Sequence, residues 1–265
     1  MEWFVAHAWL TLSVSSPSSE NAPDGVAANA AIYGKGNLGP SWVGDEGDGV
    51  LDGNVTSDPI RPSSAACALV CDASDDAEIT LRRGTRASPG DLVCTFQKCT
   101  PANLWVGFST LTADTSSWYL RIDDSGAIGP SDAVAIEVKF FGIAPRVVLG
   151  GGTEGFDIAR PGQTRQPTDL STHSQSQLGA DFAAEQVTQY ALTLQVGSHE
   201  DTTAWARLRT AILACKTVRP VLMCADKDRA TEYGVTVLGR FTAMPGEAVD
   251  LGMMVSGSVS VVEML

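Results

Sequence analysis

The sequence has few charges, no long apolar run and no excess of positive charge. Charged residues make up 18% of its 265 residues and hydrophobic residues 44%, which is a globular composition. No apolar run reaches the length of about 18 residues that a membrane-spanning helix needs, so we expect no membrane span. The net charge of −13 argues against nucleic-acid binding through a basic patch.

Short catalytic and nucleotide-binding motifs are also missing. The sequence contains neither GxSxG, HExxH nor GxxxxGK[ST], and it has only three histidines. Gly34–Gly39 and Gly150–Gly155 fit GxGxxG, but Pro40 and Pro161 follow where a phosphate-binding site needs a helix. We therefore predict no enzyme activity and no cofactor.

Metal binding has two candidate regions, and neither has the expected ligand spacing. The six cysteines include Cys67, Cys71, Cys94 and Cys99, whose intervals do not fit the usual zinc sites. We interpret them as small buried hydrophobic residues. The acidic residues of 45–52 offer oxygen ligands for Ca²⁺ but lack EF-hand spacing, and we interpret this segment as a solvated loop. We predict no metal.

The chain divides into residues 1–145 and 146–265. The first part holds 18 acidic and 8 basic residues and the second 13 and 10, so most of the negative charge lies in the first. Residues 1–16 are apolar but lack a basic start, which favours a strand over a leader peptide. Residues 16–64 resemble a long loop or arm, and 64–143 alternate like the strands of a small sandwich or barrel.

The second part is predicted to contain one helix among strands. Residues 201–216 place Trp205, Leu208, Ile212 and Cys215 on one stripe, which is typical of a helix packed on a sheet. Strands are expected at 146–149, 190–196, 218–224, 233–241 and 249–261. Residues 159–181 are polar and are predicted to form a loop.

The last predicted strand has two unlike faces. The apolar residues fall at alternate positions, and Asp250, Ser256, Ser258 and Ser260 fall between them. Since alternate residues of a strand point to opposite sides, one face would pack in the core and the other would be small and polar.

Residues 188–263 resemble the tail tube (major tail) proteins of long-tailed bacteriophages. QYALTLQVGSHEDTTAWARLRTAI is similar to that family's strand leading into its single helix. RPVLMCADKDRATEYGVTVLGRF is similar to the hairpin that follows, and TAMPGEAVDLGMMVSGSVSV to the closing strand. The resemblance extends to 146–265 if the strand at Arg146 opens the same domain. The matching fold class is mainly β, a tail-tube-like β-sandwich with one packed helix near 201–216, beside a second β-rich N-terminal region.

The resemblance implies a structural virion protein of the tail, made in the host cytoplasm. Its partners would be further copies of itself, in stacked rings, and other virion tail proteins. DNA would pass through the tube without specific binding. Asp250, Ser256, Ser258 and Ser260 would face the lumen. Arg160, Arg165, Asp169 and His173 would lie in the loop that meets the next ring.

Other interpretations stay open at this point. The rings could hold three or six copies, and residues 1–145 could be an extra domain or a second tube-like domain. A capsid decoration or head–tail joining protein would share the β composition and the arm-like N-terminal region. A carbohydrate-binding module or an enzyme would instead use Trp105, Trp118 and the acidic loop.

Overall fold

The protein is mainly β with one α-helix among the described residues, which confirms the predicted class. The computed structural model describes residues 2–15, 42–43, 49–99, 103–109, 111–125, 136–150, 163–169, 172–175, 181–184, 188–199, 202–232, 234–242, 248–250 and 254–263. No helix in these ranges has the length and hydropathy that are needed to cross a membrane.

The described strands are numbered in chain order. The first eleven are β1 (Trp3–Ala6), β2 (Ser13–Ser15), β3 (Trp42–Val43), β4 (Val50–Ile60), β5 (Ala65–Cys71), β6 (Glu78–Thr85), β7 (Ser88–Thr95), β8 (Gln97–Cys99), β9 (Leu104–Phe108), β10 (Thr115–Asp123) and β11 (Glu137–Gly150). The remaining elements are β12 (Gln163–Asp169), β13 (Thr172–Gln175), β14 (Asp181–Ala184), β15 (Thr188–His199), α1 (Thr202–Cys215), β16 (Val221–Cys224), β17 (Thr236–Phe241), β18 (Ala248–Asp250) and β19 (Met254–Glu263).

The chain forms two compact units. The N-terminal unit contains Ala6–Val147 and Arg229–Tyr233, and the C-terminal unit contains Met1–Val5, Val148–Asp228 and Gly234–Leu265. The chain passes between them beside the predicted boundary at residue 145. Two short segments depart from a simple division at one position. Met1–Val5 belong to the C-terminal unit, and Arg229–Tyr233 belong to the N-terminal unit.

The N-terminal unit is built from two antiparallel sheets. One has the strand order β2-β4-β10-β6-β7, and the other contains β11, β5, β9 and β8 in that order, with β3 beside β11. Side chains from both sheets share one core, which includes Leu51, Leu120, Leu69 and Phe141. Burying these apolar faces against each other removes them from water and stabilises the sandwich.

Strand β4 corrects the prediction that residues 16–64 form a loop. Leu51 and Val55 point into the core, while Thr56 on the opposite side is exposed. Asp, Asn, Gly and Pro within β4 are rare in strands, and they conceal the alternation in the sequence. Pairing with β10 over most of its length holds the strand.

The C-terminal unit contains the helix and a sheet in which β12, β15, β19, β17 and β16 are antiparallel. The strand order is β12-β15-β19-β17-β16-β1, with β18 beside β19. Trp3, Phe4 and Val5 of β1 are buried. At Gly239 any side chain would collide with the backbone carbonyl of Val262 on β19, so only glycine lets β17 and β19 approach this closely.

Helix α1 buries one side and exposes the other. Leu208, Ala211, Ile212 and Cys215 are buried, and their spacing of three and four residues places them on one stripe. The helix contacts β17 of the same unit. This helix lies within the predicted range of 201–216.

Two further predictions for this unit are wrong. Residues 163–169 and 172–175 lie in strands rather than in a continuous loop over 159–181, with β12 paired to β15 and β13 to β14. Pairing along an edge compensates for their weak apolar pattern. Residues 249–261 are two strands and not one, because β18 turns back and pairs with the start of β19.

Candidate functional site

A polar surface lies on one side of the β15–β19 pair. Thr193 lies directly opposite Ser260, and Gln195 lies opposite Ser258. The hydroxyl oxygens of Thr193 and Ser260 are 2.7 Å apart and share a hydrogen bond. Ser258 is exposed, and Thr193 and Ser260 are half-buried. We call this the hydroxyl face, defined by Thr193, Ser258 and Ser260.

The opposite side of the same two strands is apolar and buried. Leu192 and Val261 are opposite each other, as are Leu194 and Val259. All four side chains are almost completely removed from solvent. The alternation predicted for the last strand therefore holds in its described part, and the apolar side anchors the sheet while the hydroxyl face stays accessible.

The pairing of β12 with β15 continues the row of hydroxyl-bearing positions onto a third strand. Thr164 lies opposite Thr193, and Gln166 lies opposite Ala191. A row of three hydroxyl-bearing positions thus crosses β12, β15 and β19 at 164, 193 and 260. Neutral polar residues of this kind offer hydrogen bonds without a net charge.

The other two residues predicted for this face belong to a different part of the hairpin. Asp250 lies on β18, opposite Met254, and Ser256 lies opposite Ala248. Directly opposed positions of an antiparallel pair share one face of the sheet. Position 250 therefore lies on the same side of the sheet as positions 256, 258 and 260, as predicted, although residues 249–261 do not form one continuous strand.

The residues predicted for contact with another ring do not lie in a single loop. Arg165 and Asp169 lie on β12, and His173 lies on β13. Arg160 falls outside the described residues. The structure thus replaces a single contact loop with an edge strand and a two-stranded hairpin, and contact with another ring stays a prediction.

The residues predicted to pack the helix are partly described. Leu208 and Ile212 are buried as predicted. The side chain of Trp205 lies outside the described part. Cys215 is buried on the same stripe, as predicted. Ala211 is also buried there, and its small size explains why the apolar pattern alone did not single it out.

The tryptophans and the acidic residue considered for ligand binding are buried or paired with other side chains of the protein. Trp105 and Trp118 are buried, so they provide no exposed ligand-binding surface. Asp52 accepts a hydrogen bond from the Tyr119 hydroxyl at 2.8 Å and forms ion pairs with Arg86 and Arg121. Its carboxylate is therefore committed to this network, while the acidic residues before it fall outside the described part.

The cysteines have the environment of structural residues. All six are free and buried. Burial raises the pKa of Cys71 to about 12 and that of Cys224 to about 11, which keeps these thiols protonated at neutral pH. Among the described residues, no group of three or more His, Cys, Asp or Glu side chains is placed to hold a metal ion.

Comparisons with protein-family models, with curated proteins and with solved structures find no match to this chain.

Proposed function

We propose that the protein is the structural subunit of a bacteriophage tail tube, whose copies assemble into stacked rings around a channel for DNA. The observation that carries this proposal is the two-sided sheet of the C-terminal unit. Its apolar side is buried, and the three residues that define its hydroxyl face are small, polar and uncharged. Asp250 and Arg240 occupy the same side of the sheet by register. The resemblance of residues 188–263 to tail tube proteins supports the same assignment.

A channel for DNA requires a wall that does not hold phosphates. Each lysine or arginine that contacts the backbone adds a salt-sensitive attraction, and many such contacts would trap the DNA. Hydroxyl groups lack that charge. The net charge of −13 adds a general repulsion between the protein and DNA.

Assembly into rings is supported by the sheet edge. Strand β12 is the last strand in the described order of the C-terminal sheet. An edge strand presents backbone groups that can pair with another chain. Pairing between identical copies, repeated by rotation, closes a ring and extends the hydroxyl face around it.

Electron microscopy of the purified protein at high concentration tests the assignment. We expect hollow tubes of uniform diameter. A strictly monomeric protein at every concentration, with no incorporation into tails, would contradict the proposed function.

The lumen assignment has its own test in the double variant Ser258→Lys/Ser260→Lys. We expect tubes of this variant to retain double-stranded DNA at about 50 mM salt and to release it at higher salt, because lysine binds phosphate electrostatically. Wild-type tubes should not retain DNA.

The matched control is Ser13→Lys/Ser15→Lys, which adds two lysines at exposed positions of β2 in the N-terminal unit. Retention of DNA by the control to the same degree, or by neither variant, would remove the hydroxyl face from the lumen. In a virion, the double variant should deliver DNA more slowly than the control.

A further inference from the structure

The outer side of α1 and the turn after it are basic in an otherwise acidic protein. Residues 202–219 contain four of the 18 basic residues and none of the 31 acidic ones. Arg207, Arg209, Lys216 and Arg219 are all exposed. Positive charge is therefore concentrated on one exposed element.

Two large apolar side chains are exposed within the same region. Leu213 is 50% exposed and Val218 is 60% exposed. Arg209 and Leu213 lie four residues apart on the exposed part of α1, and Lys216 follows the last helical residue, Cys215. We call the surface formed by Arg209, Leu213, Lys216, Val218 and Arg219 the basic outer face.

An acidic surface of complementary charge lies at one end of the N-terminal unit. Its carboxylates are those of Asp72, Asp75, Asp76, Glu78, Asp123 and Glu137. Glu78 pairs with Asp123 in the sheet, and Ser74 in the β5–β6 turn binds Asp124 through its amide at 2.9 Å. The Asp72 carboxylate accepts a hydrogen bond from the Glu137 amide at 2.7 Å. We call this set the acidic end.

Basic side chains neutralise the acidic end only in part. Lys98 pairs with Asp75 at 2.5 Å, Arg121 with Asp123 at 2.8 Å, and Lys139 with Glu137 at 3.6 Å. Among the described residues, these ion pairs involve three of the six carboxylates of the acidic end. The Asp75 side chain remains 85% exposed. Partial burial and the charge of Glu137 raise the pKa of Asp72, which is consistent with crowding of negative charge.

We propose that the basic outer face of α1 docks on the acidic end of a second copy of this chain. This interface rests on the proposed function, because it assumes that copies assemble. Single exposed ion pairs contribute little, but several pairs around an apolar centre give both orientation and affinity. Leu213 and Val218 supply that centre, and the surrounding charges set which copies can meet.

Charge reversal on each surface provides the test. The first variant is Lys216→Glu/Arg219→Glu on the basic outer face. The second is Asp75→Lys/Asp76→Lys, in the exposed turn between β5 and β6. For each variant alone, we expect the protein concentration needed for assembly to rise by about tenfold or more, as measured by sedimentation.

Mixing the two variants restores the pairing of opposite charges. In an equimolar mixture, the reversed helix of one copy meets the reversed acidic end of the other, and the two native surfaces also match. We therefore expect assembly to return near the wild-type concentration. A contact within one chain would not be repaired by mixing.

The matched control is Asp58→Lys/Asp114→Lys, which makes the same change of charge away from the acidic end. Asp58 lies near the end of β4, and Asp114 directly precedes β10. Both residues are exposed. This control should assemble like the wild type, and it should not rescue the first variant.

Each result decides the inference. Variants that assemble like the wild type, or a mixture that stays unassembled, would overturn the interface and leave the tube proposal intact. A wild type that never assembles would overturn both. Should a variant fold poorly by circular dichroism, wild-type assembly at about 50 and about 500 mM salt decides instead, because screening must weaken this interface; assembly independent of salt would overturn it.

Discussion

His7 gives the N-terminal unit a pH-sensitive residue. It lies between β1 and β2, and burial lowers its pKa below the ordinary value of 6.5. The folded protein therefore prefers the neutral ring, and the unfolded chain binds the proton more readily below pH 6.5. Stability should be complete above that pH and should decrease as the pH falls through it.

We expect His7→Gln to remove part of this pH dependence. Urea unfolding at pH 7.5 and pH 5.5 should show a smaller loss of stability on acidification for the variant than for the wild type. The chain has only three histidines, so few other groups titrate in this window. An equal loss in both proteins would show that His7 does not contribute.

At the same scale, the sequence predicted residue types better than residue partners. The interpretation of the cysteines as small buried residues follows from their apolar neighbours, and the structure buries all six. Asp52 was placed in a solvated acidic loop. Its partner Tyr119 lies 67 positions away, and no local pattern can reveal a pairing over that distance.

The helix is the element whose packing can be tested most directly. Leu208→Ala should destabilise the protein by about 3 kcal/mol, because it opens a cavity beneath α1. Leu213→Ala makes the same chemical change on the exposed side of the same helix, and it should cost less than about 1 kcal/mol.

Thermal or urea unfolding of the two variants measures this difference. Similar destabilisation by both changes would mean that the helix does not pack through Leu208. The comparison is free of differences in helix propensity, since both variants exchange leucine for alanine within one helix.

Elements with a strong local period were predicted, and those stabilised by their neighbours were not. The helix was found because Leu208 and Ile212 repeat with its period. Strand β9 was found at its full length because LWVGF is continuously apolar. Strands β4 and β12 were missed, since their polar sequences form strands only through pairing with β10 and β15. The β18–β19 turn was missed because alternation continues across it.

At the scale of the whole molecule, the two units exchange segments that lie far apart in the sequence. The predicted division at residue 145 lies close to the passage at Val147. The sequence did not show that residues 1–5 belong to the C-terminal unit, because an apolar strand of this length carries no information about which sheet it joins.

A chain that lacks residues 2–5 should therefore lose stability in the C-terminal unit. Trp3, Phe4 and Val5 are buried in β1 beside β16, so we expect a loss of about 3 kcal/mol or more. Hydrogen exchange should accelerate in β16, while the β4–β10 pair should keep its protection.

Glu2→Gln is the control for this deletion. It weakens the ion pair between Glu2 and Lys227, at 3.7 Å, and keeps β1 in place, so it should cost less than about 1 kcal/mol. Faster exchange in β4 and β10 of the deleted chain, with β16 unchanged, would contradict the placement of β1 in the C-terminal unit.

The position of β1 also sets an order of events on the ribosome. Residues 2–5 leave the exit tunnel long before β16 is made, and at ordinary translation rates the interval is on the order of ten seconds or more. During that time Trp3, Phe4 and Val5 lack the strand beside which they are finally buried. A nascent chain that stops before β16 cannot complete the C-terminal sheet, so these apolar side chains stay without their final neighbours until synthesis has passed residue 224.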